Sequence, residues 1–258
     1  MPSVDSLEAL SAAISRFPAA AAGLEVTAEA RAAARRSLAS SGLLLLGEMH
    51  GVRENPRLIR ALIAEFGLTS LGLEWPAGLT GTITAFLATG TLADHGWLWL
   101  GDGRITAGHL AVLAAMAAAG PLDLVLFDDF GSLGTGWPER DAAMARRLLA
   151  AVPAGGAGAG TLVVAGNAHT PTVATELGVP AGAHLARERP GAREIRIRYG
   201  SGAFWNLGPR RFGPVPAGAG AGLARLAEED GELVLALPVA SEATVPQRPL
   251  GTLRPGPG

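Results

Sequence analysis

Short apolar runs that alternate with helical segments are the feature that most constrains the fold of this chain. Four such runs, at 42–46, 70–74, 122–127 and 161–165, are five or six residues long. Their length and the glycines around them favour buried β-strands over helices. Strands that alternate with helices form βαβ units. The pattern therefore predicts an α/β fold, a three-layer sandwich with a central, mostly parallel sheet and helices on both faces.

Segments between these runs carry helical periodicity or residues typical of helix boundaries. The predicted helices span 5–16, 27–39, 55–66, 77–88, 106–119 and 138–151. Asp5 and Thr27 are candidate N-caps, and Pro138 occupies the first turn of its helix. Two more strands are predicted at 194–199 and 232–239. Isoleucine alternates with charged residues in the first, which is typical of a half-exposed strand, here expected at a sheet edge.

The length of the chain allows one large domain or at most two small ones, and its composition is ample for a buried core. It has 258 residues, of which 48% are hydrophobic. We assign 1–245 to a single α/β catalytic domain and the Pro/Gly-rich 246–258 to a flexible tail. No run reaches the ~18 apolar residues that a membrane span needs. Asp5 and Glu8 stand where a signal peptide would be basic. We therefore expect a cytoplasmic protein with no membrane partner.

Two absent residue types exclude several kinds of chemistry. The chain has no Cys, and all 21 of its Lys+Arg residues are Arg. Cysteine nucleophiles, Cys-ligated zinc, iron–sulfur clusters, Schiff-base lysines and P-loop lysines are therefore excluded. The net charge is −2 and no basic cluster stands out, which predicts no nucleic-acid partner. The sequence also contains no G-x-S-x-G motif of an α/β-hydrolase nucleophile.

Side chains capable of acid–base chemistry follow four of the predicted strands. In an open α/β sheet, ligands bind outside the carboxyl ends of the strands, so these side chains should meet there. Each alone also fits a structural role, such as an N-cap or a buried histidine, but their convergence favours a site. The strand ends read Gly47-Glu48-Met49-His50-Gly51, Glu74-Trp75, Asp128-Asp129 and Gly166-Asn167-Ala168-His169-Thr170.

Two blocks of the sequence resemble a known group of proteins. The stretch LLLLGEMHGVRENPRLIRALIAEFGLTSLGLEW, at 43–75, resembles the opening of the erythromycin esterase-like family and of the related ChaN-like haem-binding and Tiki/TraB proteins. Members open with a strand ending in Gly-Glu and a nearby His, then a helix and a second strand ending in Glu. The segments ERDAAMARRLLA, at 139–150, and TLVVAGNAHT, at 161–170, resemble the Arg-Asp helix and the Asn-Ala-His strand end of the esterases.

The resemblance implies roles for particular positions. Glu48, His50, Glu74 and His169 fall on the motif acids and histidines, and Arg140 and Asp141 fall on the Arg-Asp pair. One residue separates Glu48 from His50, a spacing similar to that of the ChaN-like branch, whereas the esterases usually have two. The chain is also much shorter than those esterases. A macrolide is therefore not the expected substrate.

The chemistry of these side chains suggests an acid–base mechanism. We expect His50 to act as general base, because histidine titrates near neutral pH, with Glu48 or Glu74 on its other ring nitrogen. His169 would polarise a carbonyl or protonate a leaving group, and Asn167 would donate to an oxyanion. Hydrolysis of an ester or amide and proton transfer at carbon (epimerisation, elimination or cyclisation) both remain open. The substrate would be a small metabolite or modified peptide, as in bacterial natural-product tailoring.

Cofactor binding is the alternative interpretation. Zn²⁺ or Mn²⁺ could use Glu48, His50, Glu74 and His169 as ligands, although we expect no cofactor. A ChaN-like haem- or metal-binding protein is the rival function. Haem needs an axial ligand and an apolar face. The only tyrosine, Tyr199, lies in a predicted strand far from the motif blocks, so haem is not expected.

Further residues are candidates for substrate binding. The loop at 95–104 has tryptophans and charges that could line a pocket, or its Trp97 and Trp99 could pack beneath it. His109 could be structural or could face the site. Trp205 with Arg210 and Arg211 suggests a substrate lip or a homodimer contact. The complete set of predicted substrate-binding residues is Arg53, Asn167, Asp128, Arg140, Trp75, Trp97 and Arg104.

Overall fold

The computed structural model describes residues 3–128, 136–152, 160–215 and 222–248. Its helices are α1 (Leu7–Arg16), α2 (Ala28–Ser41), α3 (Asn55–Phe66), α4 (Thr80–Thr89), α5 (Ala107–Ala119), α6 (Trp137–Ala151) and α7 (Ala181–Glu188). Its strands are β1 (Ser3–Val4), β2 (Leu24–Val26), β3 (Leu43–Glu48), β4 (Ser70–Pro76), β5 (Asp123–Asp128), β6 (Thr161–Gly166), β7 (Arg193–Trp205), β8 (Pro209–Gly213), β9 (Ala224–Glu229), β10 (Glu232–Ala240) and β11 (Val245–Pro246). Within these ranges, no helix has the length and apolar character to cross a membrane.

A mostly parallel sheet forms the centre of the molecule. Over the described residues it has nine strands, in the order β2-β9-β10-β7-β3-β6-β4-β5, with β8 paired to β7. The contiguous strands from β10 to β5 are all parallel, whereas β9 and β8 pair antiparallel with β10 and β7. The predicted mostly parallel sheet is confirmed.

Helices cover both faces of this sheet, as the alternation along β3 shows. Leu44 and Leu46 belong to a core shared with α1 to α5, whereas Leu43 and Leu45 belong to a second core shared with α6 and α7. Successive side chains of a strand point to opposite faces, so a strand buried on both sides must be apolar at every position. The run of four leucines meets this demand, and the three-layer sandwich is confirmed.

The structure corrects several predictions of individual elements. β7 is an interior strand between β10 and β3, not an edge. Three of its arginines pair with glutamates of β9 and β10, which accounts for the charged alternation. Ser6, not Asp5, caps α1 by accepting from the Ala9 N–H, whereas Thr27 caps α2 as predicted. α7, β1, β2, β8, β9 and β11 were not predicted; all of them are eight residues long or shorter.

The start of the Pro/Gly-rich segment is bound to the domain. The Gln247 N–H donates to the Val4 carbonyl, and the Arg248 guanidinium lies 3.7 Å from the centre of the Trp99 ring. Arg248 also bonds Asp94. Gln247 and Arg248 therefore attach the start of this segment to the N-terminal strand and to the loop at 94–104. The rest of the predicted tail lies outside the described residues.

Gly51, directly beside the motif residue His50, is hydrogen-bonded to three other segments of the chain. Its φ of +73° is a left-handed conformation, and its N–H donates to the Gly103 carbonyl. Its carbonyl accepts from the N–H groups of Trp205 and Ala243, at 3.0 and 2.9 Å. A Cβ at this position would run into the Trp205 carbonyl oxygen. Only glycine fits both the backbone angle and the close approach.

Gly51→Ala should therefore destabilise the fold more than an ordinary glycine replacement. Gly67→Ala is the matched control, since Gly67 has a φ of +66° and a Cβ there would meet no atom within 4 Å. We expect Gly51→Ala to lower the free energy of unfolding by more than ~2 kcal/mol, and the control by ~1 kcal/mol, in urea titrations. Equal losses would show that the Trp205 contact is unimportant.

Candidate functional site

The carboxyl ends of four neighbouring strands bring charged side chains into one buried cluster. Glu48 ends β3, Glu74 lies near the end of β4, Asp128 ends β5, and His169 lies in the turn that follows β6. All four are buried, and Asp128 is completely inaccessible. His50, two residues beyond β3, is more accessible than His169, with 14% of its side chain exposed. Asp129 lies outside the described residues.

Glu74 occupies the centre of the cluster. Its Oε1 accepts from Arg140 Nη2 at 2.8 Å and lies 3.2 Å from Arg104 Nη1, while its Oε2 accepts from the Gly166 N–H at 2.7 Å. Burial by itself would raise the pKa of Glu74. The charge of Arg104, followed by those of His169, His50 and Arg140, outweighs burial and holds this pKa well below its usual range. Glu74 is therefore ionised at neutral pH.

Asp128 supports the same two arginines from the other side. It binds Arg140 in a bidentate pair, with Nε to Oδ1 at 3.0 Å and Nη2 to Oδ2 at 2.7 Å. Arg104 Nη1 donates to Asp128 Oδ2 at 2.6 Å, and Arg104 Nε donates to Asp102 at 2.7 Å. Planar guanidinium groups suit such paired contacts. Arg104, Arg140 and Asp128, predicted as substrate-binding residues, thus bind one another.

His50 lies between two carboxylates. Its Nδ1 is 3.1 Å from Glu48 Oε1, and its Nε2 is 3.8 Å from Glu74 Oε2. A carboxylate only accepts hydrogen bonds, so the contact with Glu48 places a proton on Nδ1. Burial lowers the pKa of His50, but the hydrogen bond to Glu48 and the charge of Glu74 more than offset this and raise it.

His169 has an equivalent arrangement on the other side of Glu74. Its Nδ1 is 2.7 Å from Asp141 Oδ1, which also accepts from the Ala181 N–H at the start of α7. Its Nε2 is 3.7 Å from Glu74 Oε1 and 3.3 Å from Arg140 Nη1. The half-exposed Trp137 ring lies over His169 with a centroid distance of 5.2 Å. The Nε2 atoms of both histidines therefore face one carboxylate.

A glycine at the end of β6 makes room for this arrangement. A Cβ on Gly166 would stand 3.1 Å from His50 Nε2 and 3.4 Å from Glu74 Oε2. Its N–H also donates to Glu74, as described above. The Gly-Asn-Ala-His sequence thus supplies a small residue, a backbone donor and a histidine within one short turn.

The other four predicted substrate-binding residues lie outside the network of arginines and carboxylates around Glu74. Asn167 is exposed in the turn that carries His169, and its N–H donates to the Glu48 carbonyl. Trp75 is buried, and its indole N–H donates to the Arg104 carbonyl. Trp97 is half-buried and packs against the core. Arg53 is exposed and, with Arg16, Phe17 and Glu242, lines a separate cleft of about 280 Å³.

Several residues that the sequence did not assign to the site lie beside it in the structure. Tyr199 is not far from the motif blocks: its hydroxyl accepts from the Met49 N–H at 3.0 Å and contacts Asn55. His109 does face the site, with Nε2 3.9 Å from Glu48 Oε2. Trp205 is buried and its indole N–H donates to the Gly101 carbonyl, whereas Arg210 and Arg211 are exposed. No local signal marked Asn55, because asparagine before proline is typical of any helix start.

The surroundings of Glu74 disfavour a divalent cation among the candidate metal ligands. Two guanidinium groups lie against Glu74, so a divalent cation there would face two fixed positive charges. Among the described residues, no group of three or more His, Cys, Asp or Glu side chains could hold a metal ion. The hydroxyl of Tyr199, the tyrosine considered for haem, already bonds Met49 and Asn55.

Comparison with known proteins supports the fold. No family model and no curated protein matches the chain. The structure is similar to a succinoglycan biosynthesis protein, with a TM-score of 0.58 and 13% identity over 81% of this chain and 91% of that one. It is also similar to a Bacillus cereus protein, with a TM-score of 0.52 and 12% identity over 95% and 100% of the two chains. Identities this low show a shared α/β fold and leave the activity to be argued from the site.

The position of His50 between two carboxylates predicts its titration. We expect nuclear magnetic resonance to show His50 titrating above the ordinary 6.5, because Glu48 and Glu74 favour its charged form. Glu48→Gln should lower the pKa of His50, because it removes a negative charge and weakens the bond to Nδ1. An unchanged His50 curve would contradict the arrangement.

The burial of Glu74 predicts a pH-dependent loss of stability. Glu74→Gln leaves Arg104 and Arg140 short of a negative partner, so we expect a loss of ~3 kcal/mol at neutral pH. The pKa of Glu74 is lowered by folding, so its contribution is present above 4.5 and is lost as the pH falls further. Urea unfolding should therefore show the two proteins converging in acid. Glu229→Gln, at an exposed ion pair, should change stability far less.

Proposed function

We propose that this protein is an erythromycin esterase-like enzyme that performs acid–base chemistry with histidine and glutamate. One observation carries the proposal: two histidines, each with Nδ1 held by its own carboxylate, direct their Nε2 atoms toward the same buried glutamate. A carboxylate on one ring nitrogen fixes the tautomer and leaves the other nitrogen to exchange a proton with a substrate. The resemblance in the motif blocks supports the same assignment.

His50 is the proposed general base. Its neutral form carries the proton on Nδ1, so Nε2 has a free lone pair. Nε2 removes a proton from water or from an acidic C–H, and the imidazolium that forms is stabilised by Glu48 and Glu74. The raised pKa of His50 strengthens it as a base. At low pH the charged form predominates, so the reaction rate should rise with pH through this pKa.

His169 is the proposed partner that acts on the other side of the reacting group. Asp141 holds its Nδ1, and Arg140 Nη1 lies 3.3 Å from its Nε2. In its imidazolium form His169 carries a second proton on Nε2, which can hydrogen-bond a carbonyl oxygen or pass to a leaving group while Nδ1–H stays on Asp141. Asn167, in the same turn, is the proposed additional donor to an oxyanion. The pair of histidines therefore suits ester or amide hydrolysis as well as proton transfer at carbon.

The charges and surface of the cluster favour an uncharged reacting group. Three carboxylates (Glu74, Asp102 and Asp128) pair with the two arginines, and two more (Glu48 and Asp141) contact the histidines. An anionic substrate would therefore gain little here. Trp137, 50% exposed beside His169, offers an apolar surface. We propose an ester, amide or carbon acid within a small metabolite or modified peptide.

Isotope incorporation tests this function whatever the product is. The protein is incubated with a panel of esters, lactones, amides and short peptides in oxygen-18 water or in deuterium oxide. Oxygen-18 in a new carboxyl group reports hydrolysis, and deuterium at carbon reports proton transfer. We expect His50→Gln and His169→Gln each to lower the turnover number at least ~100-fold, since general acid–base groups contribute about this much. His184→Gln is the matched control.

A resident metal ion is tested in the same assay. Because the arginines at Glu74 disfavour a divalent cation, we propose that activity needs none and survives dialysis against a chelator. Loss of activity with the chelator, recovered by added Zn²⁺ or Mn²⁺, would contradict this part of the proposal. Equal activity in wild type and His50→Gln would contradict the assignment of the base.

A further inference from the structure

A polar network lies behind Glu48, on the side away from His50. Asn55, the first residue of α3, is only 1% exposed. Its side-chain amide donates to Glu48 Oε2 at 3.0 Å and to the Met49 carbonyl at 2.9 Å. An amide NH₂ group carries two hydrogens, so both are used. The orientation of the Glu48 carboxylate is therefore tied to the backbone of the loop that carries His50.

The hydroxyl of Tyr199 completes the network from another strand. It accepts from the Met49 N–H at 3.0 Å and donates to Asn55 Oδ1 at 3.1 Å. Because the tyrosine proton points at Asn55, the amide must present its oxygen to Tyr199 and its nitrogen to Glu48. The Tyr199 ring stacks on Phe212 with a centroid distance of 4.6 Å, which fixes the hydroxyl. Burial raises the pKa of Tyr199, so it keeps its proton.

His109 approaches Glu48 from a third direction. Its Nε2 lies 3.9 Å from Glu48 Oε2, and its Nδ1 lies 3.0 Å from Thr106 Oγ1. Burial lowers the pKa of His109 and favours its neutral form. Glu48 Oε2 therefore faces the protein interior, while Oε1 alone faces His50. Rotation of the carboxylate would break the bond from Asn55.

We propose that Asn55 and Tyr199 are positioning residues that hold Glu48 with Oε1 toward His50 and so keep the His50 proton on Nδ1. Both residues act through Glu48 and the Met49 backbone, to which their side chains bond. The catalytic meaning of this assignment rests on the proposed function, since only the Nδ1–H form leaves Nε2 free as a base. The positioning of Glu48 and of the His50 proton does not depend on the proposed function, because the location of that proton can be measured without turnover.

Nitrogen-15 resonance of the histidine rings tests the proposal. Spectra are recorded above the titration of His50, and His50→Gln identifies its signals. In the wild type we expect the Nδ1–H form, with slow exchange of that proton. In Asn55→Ala and in Tyr199→Phe, a freed Glu48 should allow both tautomers and speed the exchange of Nδ1–H at least ~10-fold, the factor that corresponds to one lost hydrogen bond of about 1.4 kcal/mol.

Thr161→Val is the matched control. It removes a buried hydroxyl hydrogen bond to Ser70 at the opposite end of the same sheet, so it costs stability without touching Glu48. We expect the His50 signals of this variant to be those of the wild type. If Asn55→Ala does not fold, Tyr199→Phe decides the test, because it keeps the ring that stacks on Phe212. Wild-type His50 signals in folded Asn55 and Tyr199 variants would overturn the proposal.

The two proposals fail in different ways. Altered His50 signals in both variants, together with no turnover of any substrate by the wild type, would support the positioning roles and count against the proposed function. Turnover that depends on His50, with signals unchanged in the variants, would support the function and overturn the positioning roles.

Discussion

The pairing of Glu74 with two guanidinium groups is the interaction on which the site depends. A carboxylate as buried as Glu74 would take up a proton if it stood alone. Arg140 and Arg104, themselves held by Asp128 and Asp102, keep it ionised. The negative charge can then face the Nε2 atoms of both histidines. Because these residues come from β4, β5, α6 and the loop before α5, the charge pairing also ties the edge of the sheet to both helical layers.

The two halves of the site repeat one arrangement with different parts. On one side Glu48 holds His50, and on the other Asp141 holds His169. Asp141 also accepts from the first N–H of α7, so the same carboxylate orients a histidine and anchors a helix. Such shared use makes the geometry rigid, since neither histidine can turn without the loss of a buried hydrogen bond.

Glu74 and Glu48 have different kinds of hydrogen-bonding and charged partners. Glu74 is compensated by full charges and stays ionised through ion pairs. Glu48 is compensated by neutral donors, chiefly the amide of Asn55, and by His50 itself. Arg140 Nη1 lies 3.3 Å from His169 Nε2, and a guanidinium group can only donate, so the lone pair of that nitrogen is already engaged. This contact favours the proposal of His50, rather than His169, as the base.

The sequence by itself determined the layered fold and the main acid and histidine positions. Apolar runs of strand length and the turn residues after them are local features, so β3 to β6 and the ends that carry Glu48, Glu74, Asp128 and His169 could be predicted. Only the tertiary structure decided the partners. Tyr199 and Met49 stand 150 positions apart, and Arg104 meets Glu74 from a separate loop. Contacts of this kind leave no local period or spacing, because they arise from how the strands are ordered across the sheet. The pairing of the arginines with carboxylates, rather than with substrate, followed from that same packing.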